Sequence, residues 1–370
     1  MIPVNEPLIS PLAKKYILDC LKTGWVSSAG KYITEFENKF AAYIGTKYGV
    51  TTTNGTSALH LALVTLGIKE GDEVIIPDLT IISCALAVVY CGAKPVLVDV
   101  DQSTGNISPE LIEERITKRT KAIMVVHLYG HPADMDPITT IARKYKIPVV
   151  EDAAESHGAT YKNTKVGSIG DIGCFSFYGN KIVTTGEGGM LITNNKKYYE
   201  RAKILKDLAH SRNKRFLHKE LGYNYRMTNI QAALGLAQLA YIEKYIKIKR
   251  LMAKQYEIGL TTVTSLELPV ELDWAKSVYW MYAIRLKGKY GNKRDQFCML
   301  LRTYGIDTRN FFIPLHLQPV LRKRGLFKDE KYPVSASLSN RGFYLPSGLA
   351  ITRDQIDRVI NAIKKANKNI

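Results

Sequence analysis

Short, uninterrupted apolar runs recur through the first part of the chain and are separated by amphipathic stretches. The runs contain no alternating polar positions, which is typical of strands that are covered on both faces. The intervening stretches carry apolar residues at helical spacing, as at Phe36, Phe40 and Ile44. This β-α-β rhythm predicts an α/β fold with a mostly parallel, doubly wound sheet. Strands are expected at 73–77, 95–99, 122–126 and 148–152, and helices at 35–48, 58–63, 83–91, 109–116 and 136–145.

The pattern changes in the last third of the chain. A long helical stretch at 228–258 is followed by an alternating run at 279–286, and two further helices are expected at 293–304 and 353–366. We therefore predict two domains, a large α/β domain at 1–250 and a smaller C-terminal α+β domain at 251–370. In the large domain, Ser108 is the expected N-cap of the 109–116 helix.

The composition is that of a soluble globular protein, with 46% hydrophobic and 23% charged residues in 370. The N-terminus lacks the basic and apolar regions of a secretory signal, and the most apolar stretch, 81–93, is too short to span a bilayer. The five cysteines are scattered without CxxC spacing, so we expect thiols in a reducing cytoplasm. The histidines of 127–131 lack the glutamate of a zinc helix, and no metal site is expected.

The formal net charge of +18 is concentrated in one part of the chain. Residues 181–260 hold sixteen Lys or Arg and six Asp or Glu. Three interpretations stay open: nucleic-acid binding, steering of an anionic small substrate such as a nucleotide diphosphate, or a lysine-rich solvated surface. No nucleic-acid-binding motif accompanies the charge, so a specific nucleic-acid partner is not expected.

Lys181 ends the run 173–181, in which an apolar, aromatic segment leads into a glycine-rich turn. A lysine in such a turn is commonly a solvated surface residue. Here the aromatic residues before it and the four glycines at 179, 186, 188 and 189 favour a buried amine with a ligand packed close to the backbone. A desolvated lysine loses part of its preference for the ammonium form, which suits a nucleophile that condenses with a carbonyl.

Two other segments could serve the same ligand. Asp152 ends an apolar strand, at the edge where open α/β sheets bind ligands, and a carboxylate there could keep a pyridine nitrogen protonated. The alternative is an ordinary helix cap. The segment 54–57, Asn-Gly-Thr-Ser, precedes a helix and could bind a phosphate through backbone N–H groups, although Ser and Thr are also common N-caps.

Taken together, these segments resemble the sugar aminotransferases of the DegT/DnrJ/EryC1/StrS family. The resemblance implies a fold type I, aspartate-aminotransferase-like architecture and pyridoxal 5'-phosphate as cofactor. A few members of the family are dehydratases with histidine at the lysine position, and Lys181 favours transamination. The likeness is carried by 25–28, 54–59, 71–75, 127–130, 151–155, 176–181, 222–228 and 341–347.

The resemblance also assigns roles to individual residues. Lys181 is the catalytic residue that would hold the cofactor covalently and shuttle a proton. Asp152 would pair with the ring nitrogen, and Glu155 would lie near the ring hydroxyl. The phosphate would be bound by Gly55, Thr56, Ser57 and Ser176, with Asn224 reaching in from the second subunit of a homodimer. Trp25, Arg226, His316 and Arg341 would meet the sugar nucleotide or the amino donor.

Two departures from the family pattern affect the expected site. Ile81 follows the turn at 77–80, where many relatives have an aromatic residue that stacks on the cofactor ring. Tyr344 occupies the asparagine position of the segment 341–347. We expect weaker stacking on the ring but retained function.

The resemblance implies transfer of an amino group from glutamate to a nucleotide-linked 4-keto-6-deoxyhexose, for deoxyamino-sugar and surface polysaccharide biosynthesis. The segments 127–131, 179–181 and 222–228 are most similar to enzymes that use GDP-4-keto-6-deoxymannose, and dTDP- or UDP-linked sugars are the alternative. A second hypothesis is a non-catalytic regulator that binds the cofactor or, through the basic stretch 196–219, nucleic acid. That hypothesis leaves the set of cofactor-binding segments unexplained.

Overall fold

The computed structural model describes residues 1–211 and 213–369. Arg212, within the basic stretch 196–219, and Ile370 lie outside the described residues. The helices are α1 (Pro11–Thr23), α2 (Lys31–Ile44), α3 (Gly55–Thr65), α4 (Ser83–Tyr90), α5 (Met135–Tyr145), α6 (Lys196–Lys206), α7 (Asn229–Leu239), α8 (Ile242–Leu260), α9 (Arg294–Thr303), α10 (Pro319–Lys323), α11 (Pro333–Arg341) and α12 (Arg353–Asn367). The strands are β1 (Tyr48–Thr52), β2 (Glu73–Pro77), β3 (Lys94–Val98), β4 (Thr120–Val126), β5 (Val149–Asp152), β6 (Thr160–Tyr161), β7 (Thr164–Lys165), β8 (Ile172–Ser176), β9 (Gly189–Thr193), β10 (His210–Ser211), β11 (Lys214–His218), β12 (Leu266–Glu267), β13 (Ala275–Lys276), β14 (Tyr282–Leu286), β15 (Arg309–Asn310) and β16 (Gly342–Leu345).

A seven-stranded sheet forms the centre of the large α/β part, in the order β1-β9-β8-β5-β4-β2-β3. The strands β3, β2, β4, β5 and β8 are parallel to one another, whereas β9 runs antiparallel to both β8 and β1. The predicted mostly parallel α/β sheet is therefore confirmed.

Alternate residues of the central strands enter two separate hydrophobic cores. Val74 and Ile76 of β2 pack in one core with Leu59 of α3, whereas Ile75 packs in the other core with Phe40 of α2. Both faces of the sheet are thus covered by helices, which explains why the strand sequences read as continuous apolar runs. The carboxyl ends of the strands are left as the open edge at which side chains converge.

Two predicted elements differ from the structure. The 109–116 helix is wrong, because the segment forms two short 3-10 turns, Pro109–Leu111 and Glu113–Arg115. Ser108 does not cap a helix, since its hydroxyl donates a hydrogen bond to the Glu110 carboxylate at 2.6 Å. The 228–258 stretch is divided at 240–241 into α7 and α8, and α7 begins with a reciprocal capping box between Thr228 and Gln231.

A second, antiparallel sheet has the order β12-β14-β16-β15 and packs with α9 and α12 around a third core. Helix α8 crosses residue 250: Tyr245 and Ile246 pack in a core of the large sheet, whereas Met252 and Tyr256 pack in the third core. The division into domains at 250 stays a prediction. Across residues 1–211 and 213–369, no helix has the length and apolar character that crossing a membrane requires.

Candidate active site

The carboxyl ends of β5 and β8 and the first turn of α3 enclose a cavity of about 420 Å³. Asp152 is the last residue of β5, Ser176 is the last residue of β8, and Gly55 is the first residue of α3. This is the sheet edge where parallel α/β folds bind their ligands. The predicted site residues that line this cavity are Gly55, Thr56, Asp152, Glu155, Ser176 and Lys181.

The first turn of α3 is held in place by a side-chain cap. The Ser57 N–H donates to Oδ1 of Asn54 at 2.8 Å, and a Cβ atom on Gly55 would lie 2.8 Å from Cβ of Ser176. The helix start therefore approaches β8 as closely as a glycine permits. Unpaired N–H groups at a helix start attract anions, so this corner suits a phosphate. The Ser57 side chain does not line the cavity, and its hydroxyl lies 2.9 Å from that of Thr53.

Lys181 extends its amine into the cavity from the turn after β8. The side chain is 9% exposed, and Nζ lies 3.8 Å from Oε1 of Glu155 and 3.6 Å from the centre of the Trp280 ring. Burial lowers the pKa of the Lys181 amine, while the carboxylates of Glu155 and Asp152 oppose that shift. A buried lysine with a lowered pKa is suited to condense with an aldehyde.

Asp152 presents a buried carboxylate to the same cavity. Oδ1 accepts the Ala154 N–H at 3.0 Å, and Oδ2 accepts the Cys84 thiol at 3.2 Å. Burial raises the pKa of Asp152, whereas these two hydrogen bonds and the Lys181 charge lower it. The carboxylate is therefore fixed at both oxygens and lies in a dry environment, where a protonated ring nitrogen would be a strong partner.

Glu155 is the second buried carboxylate of the cavity. Its Oε2 accepts the Tyr129 N–H at 2.8 Å, and Tyr129 adopts a left-handed backbone conformation with φ 53° in the turn after β4. Burial raises the pKa of Glu155, and the nearby Lys181 amine opposes that shift. The cavity thus combines an amine, two buried carboxylates and a phosphate-suited helix start, and these groups fit pyridoxal phosphate.

Residues 8–364 match the model of the DegT/DnrJ/EryC1/StrS aminotransferase family. The chain belongs to this aminotransferase family. It is therefore an enzyme, and its cofactor is pyridoxal phosphate.

Individual relatives are similar over nearly their whole length. The chain is 43% identical to the GDP-perosamine synthase of Caulobacter vibrioides, over 98% of this chain and 97% of that one. It is 42% identical to the GDP-perosamine synthase of Escherichia coli O157:H7, over 98% of both chains. Among solved structures, the aminotransferase from Psychrobacter cryohalolentis superposes with a TM-score of 0.93 at 32% identity and covers 100% of both chains.

Three predicted site residues of the aminotransferase lie outside the cavity of their own chain. Trp25 is 57% exposed, and its carbonyl accepts the Asn229 side chain at 2.7 Å. Arg226 Nε donates to Oδ1 of Asn224 at 3.0 Å, and its guanidinium also pairs with Asp207 at 3.0 Å. The contact of Asn224 with the cofactor phosphate stays a prediction, and it requires a second subunit.

His316 and Arg341 also lie outside the cofactor cavity. His316 is buried, with Nδ1 2.7 Å from Oδ2 of Asp78, and the backbone N–H of His316 donates to Oδ1 of Asp78 at 2.9 Å. Arg341 is at the end of α11, and its Nη1 lies 3.5 Å from Oε1 of Glu267. Their proposed substrate contacts remain predictions. The two positions that depart from the family pattern, Ile81 and Tyr344, do line the cavity.

Two residues that contact Lys181 and Asp152 were missed by sequence reasoning. Trp280 faces the Lys181 amine, and Cys84 hydrogen-bonds Asp152. Trp280 lies in an alternating apolar run, and Cys84 lies on the largely apolar helix α4. Neither residue carries a local motif, so only the folded arrangement reveals these contacts.

Proposed function

We propose that this aminotransferase moves an amino group from glutamate to carbon 4 of a GDP-linked 4-keto-6-deoxyhexose, with GDP-4-keto-6-deoxymannose as the preferred substrate and GDP-perosamine as the product. The observation that carries the proposal is the convergence of Lys181, Asp152 and the start of α3 on one cavity. The choice of sugar is supported by the GDP-perosamine synthases that are about 40% identical over nearly the whole chain. The expected pathway is deoxyamino-sugar and surface polysaccharide biosynthesis in the cytoplasm.

The chain's own residues divide the chemical work. When bound, pyridoxal phosphate supplies an aldehyde that condenses with primary amines and a ring that stabilises negative charge on the adjacent carbon. Lys181 Nζ would hold the cofactor and then, as a free amine, carry a proton to and from the reacting carbon. Asp152 would keep the ring nitrogen protonated. Gly55, Thr56, Ser57 and Ser176 would bind the phosphate.

Glu155 supports both the lysine and the ring. Its carboxylate lies 3.8 Å from Lys181 Nζ, so it stabilises the ammonium form when the lysine is free. It would also accept a hydrogen bond from the ring hydroxyl. Burial of both groups keeps water from competing for these contacts.

The substrate side of the site is proposed from charge and position. A net charge of +18 favours the approach of a nucleotide diphosphate. Trp25, Arg226, His316 and Arg341 are the proposed contacts for the sugar nucleotide or the glutamate carboxylate. The dTDP- and UDP-linked 4-keto-6-deoxyhexoses are the competing substrates, because a few loop contacts decide the choice of base.

A homodimer with shared active sites is part of the proposal. Asn224 is exposed and does not line the cavity of its own chain, so the partner subunit's Asn224 would complete the phosphate site. Mixing the Lys181→Ala and Asn224→Ala proteins tests this arrangement. Each variant alone should be inactive, and mixed dimers should regain activity at one of two sites. No recovery in a verified mixed dimer would contradict the shared site.

An amino-transfer assay with glutamate tests the reaction itself. Purified protein supplied with pyridoxal phosphate should show a visible absorption band that borohydride bleaches, and it should aminate GDP-4-keto-6-deoxymannose faster than the dTDP- and UDP-linked sugars. Lys181→Ala should abolish both the band and turnover. A protein that takes up no cofactor, or turnover undiminished in Lys181→Ala, would refute the proposed function.

A further inference from the structure

Trp280 contacts both Lys181 and the residue before it. The centre of its ring lies 3.6 Å from Lys181 Nζ, and its indole N–H donates a hydrogen bond to the carbonyl of Asn180, the preceding residue, at 2.9 Å. Trp280 itself is only 4% exposed. One side chain therefore contacts both the amine of Lys181 and the backbone from which this lysine extends.

Trp280 is held in place by contacts to its backbone and to its ring. Its backbone carbonyl accepts the buried Lys249 amine at 2.6 Å, and Lys249 also donates to the carbonyl of Ser347. The Tyr129 ring is stacked against Trp280 with a centroid distance of 6.4 Å. Because α8 and the turn after β4 both contribute to this support, turning the indole away would disturb both packed segments.

We propose that Trp280 is a positioning residue for Lys181: the indole N–H fixes the Asn180 peptide, and the ring holds the free amine beside Glu155. The inference rests on the proposed role of Lys181. When Lys181 is not bonded to the cofactor, contact with the aromatic face would keep its amine in one orientation, from which it can react with the cofactor again. A cation is attracted to the face of an indole, most strongly where water is excluded.

Other charged and titratable groups near Lys181 also influence the protonation of its amine. Glu155 and Asp152 stabilise the ammonium form, whereas desolvation disfavours it. His157, in the segment after β5, is buried and has its pKa lowered to about 3 by burial and by the Lys181 charge, so it is neutral near pH 7. Removal of the Trp280 ring therefore removes one of three attractions, and it should favour the neutral amine.

The test compares Trp280→Leu with Trp280→Phe in cofactor-free protein. The measurement is the rate of forming the borohydride-reducible adduct with pyridoxal phosphate, as a function of pH. In Trp280→Leu we expect the pH midpoint to fall by about one unit and the limiting rate to fall about tenfold as the amine loses its orientation. Trp280→Phe retains an aromatic face, so its midpoint should stay near that of the parent. Phenylalanine lacks the N–H that fixes Asn180, so cofactor release should be faster.

Trp274→Leu is the matched control. Trp274 is a half-buried tryptophan that packs against His131 and Tyr161 and does not line the cavity. This substitution should leave the midpoint and the rate of adduct formation unchanged.

The outcomes separate this inference from the proposed function. If the parent protein forms no adduct at any pH, the proposed function fails. If the parent reacts and Trp280→Leu has the same midpoint and rate, only the positioning role of Trp280 is overturned. Should Trp280→Leu not fold, as judged by circular dichroism, Trp280→Phe carries the test, and an unchanged rate of cofactor release in that variant overturns the role.

Discussion

The Cys84 thiol donates a hydrogen bond to Oδ2 of Asp152 across 3.2 Å, from α4 to the end of β5. The Thr80 hydroxyl lies 3.5 Å from the same sulfur. Cys84 and Asp152 are both buried, so the bond is shielded from water. With the Ala154 N–H on Oδ1, the thiol fixes the plane of the carboxylate that would bind the ring nitrogen.

Replacement of this thiol should weaken cofactor binding. Cys84→Ala leaves one oxygen of a buried carboxylate without a donor, at a cost of about 1–2 kcal/mol in stability. Because Asp152 is then free to rotate, we expect the dissociation constant for pyridoxal phosphate to rise about fivefold. Cys84→Ser keeps a donor and should bind the cofactor as the parent does. Titration of cofactor-free protein by visible absorbance measures both, and equal affinity in Cys84→Ala would contradict the role.

The close approach of Gly55 to Ser176 predicts that a larger residue at position 55 weakens cofactor binding. A Cβ atom at position 55 would lie 2.8 Å from Cβ of Ser176, too close for two carbon atoms. In Gly55→Ala, α3 must move away from β8. This movement would displace the N–H groups at the start of α3 that are expected to bind the phosphate, so we expect cofactor affinity to fall at least about tenfold.

Gly179→Ala is the matched control for crowding. A Cβ atom there would meet only the Gly186 carbonyl, at 3.9 Å, which is an ordinary contact. Its affinity for the cofactor should stay within about twofold of the parent. If both alanine variants bound the cofactor equally well, the phosphate would not lie against the start of α3.

The pH dependence of cofactor binding should report on Glu155. Its carboxylate raises the pKa of Lys181 against the effect of burial. Glu155→Gln removes that charge, so the pKa of Lys181 falls and the neutral amine is present at lower pH. We expect the midpoint for adduct formation with pyridoxal phosphate to move down by about one unit or more. Asp136→Asn, which changes an exposed carboxylate paired with Lys162, should leave the midpoint unchanged. An upward shift in Glu155→Gln would contradict this electrostatic role.

The strands of the central sheet were predictable because burial on both faces gives each strand a continuous apolar sequence. The run at 73–77 coincides with β2, and the run at 122–126 lies within β4. The helix expected at 109–116 failed for a local reason that propensity does not capture: the Ser108 hydroxyl binds Glu110 and does not cap the segment.

The candidate site was predictable only where its residues lie in contiguous motifs. Lys181, Asp152 and Gly55 each lie at the end or start of a recognisable segment, and the topology of the sheet brings those ends together. Trp280 and Lys249 lie far along the chain from Lys181, and their contacts depend on how α8 and the segment before β14 pack against the large sheet. Periodicity within one segment contains no information on such packing, so sequence reasoning could not find them.

Lys249 should make the stability of the protein depend on pH. Burial lowers the pKa of its amine from 10.5 to about 7. Between these two values the unfolded chain binds a proton that the folded chain does not bind, so the free energy of unfolding should rise with pH in this window. Relative to Lys249→Met, which cannot titrate, the parent should gain about 1.4 kcal/mol per pH unit. Urea unfolding of both proteins between about pH 7 and about pH 10 measures the difference, and other titrating groups cancel in the comparison.

Lys254→Met removes an exposed lysine of α8 that is paired with Glu257, and it should show no such slope. A constant difference between the parent and Lys249→Met would mean that the buried amine keeps its proton, with the two carbonyls of Trp280 and Ser347 stabilising the ammonium.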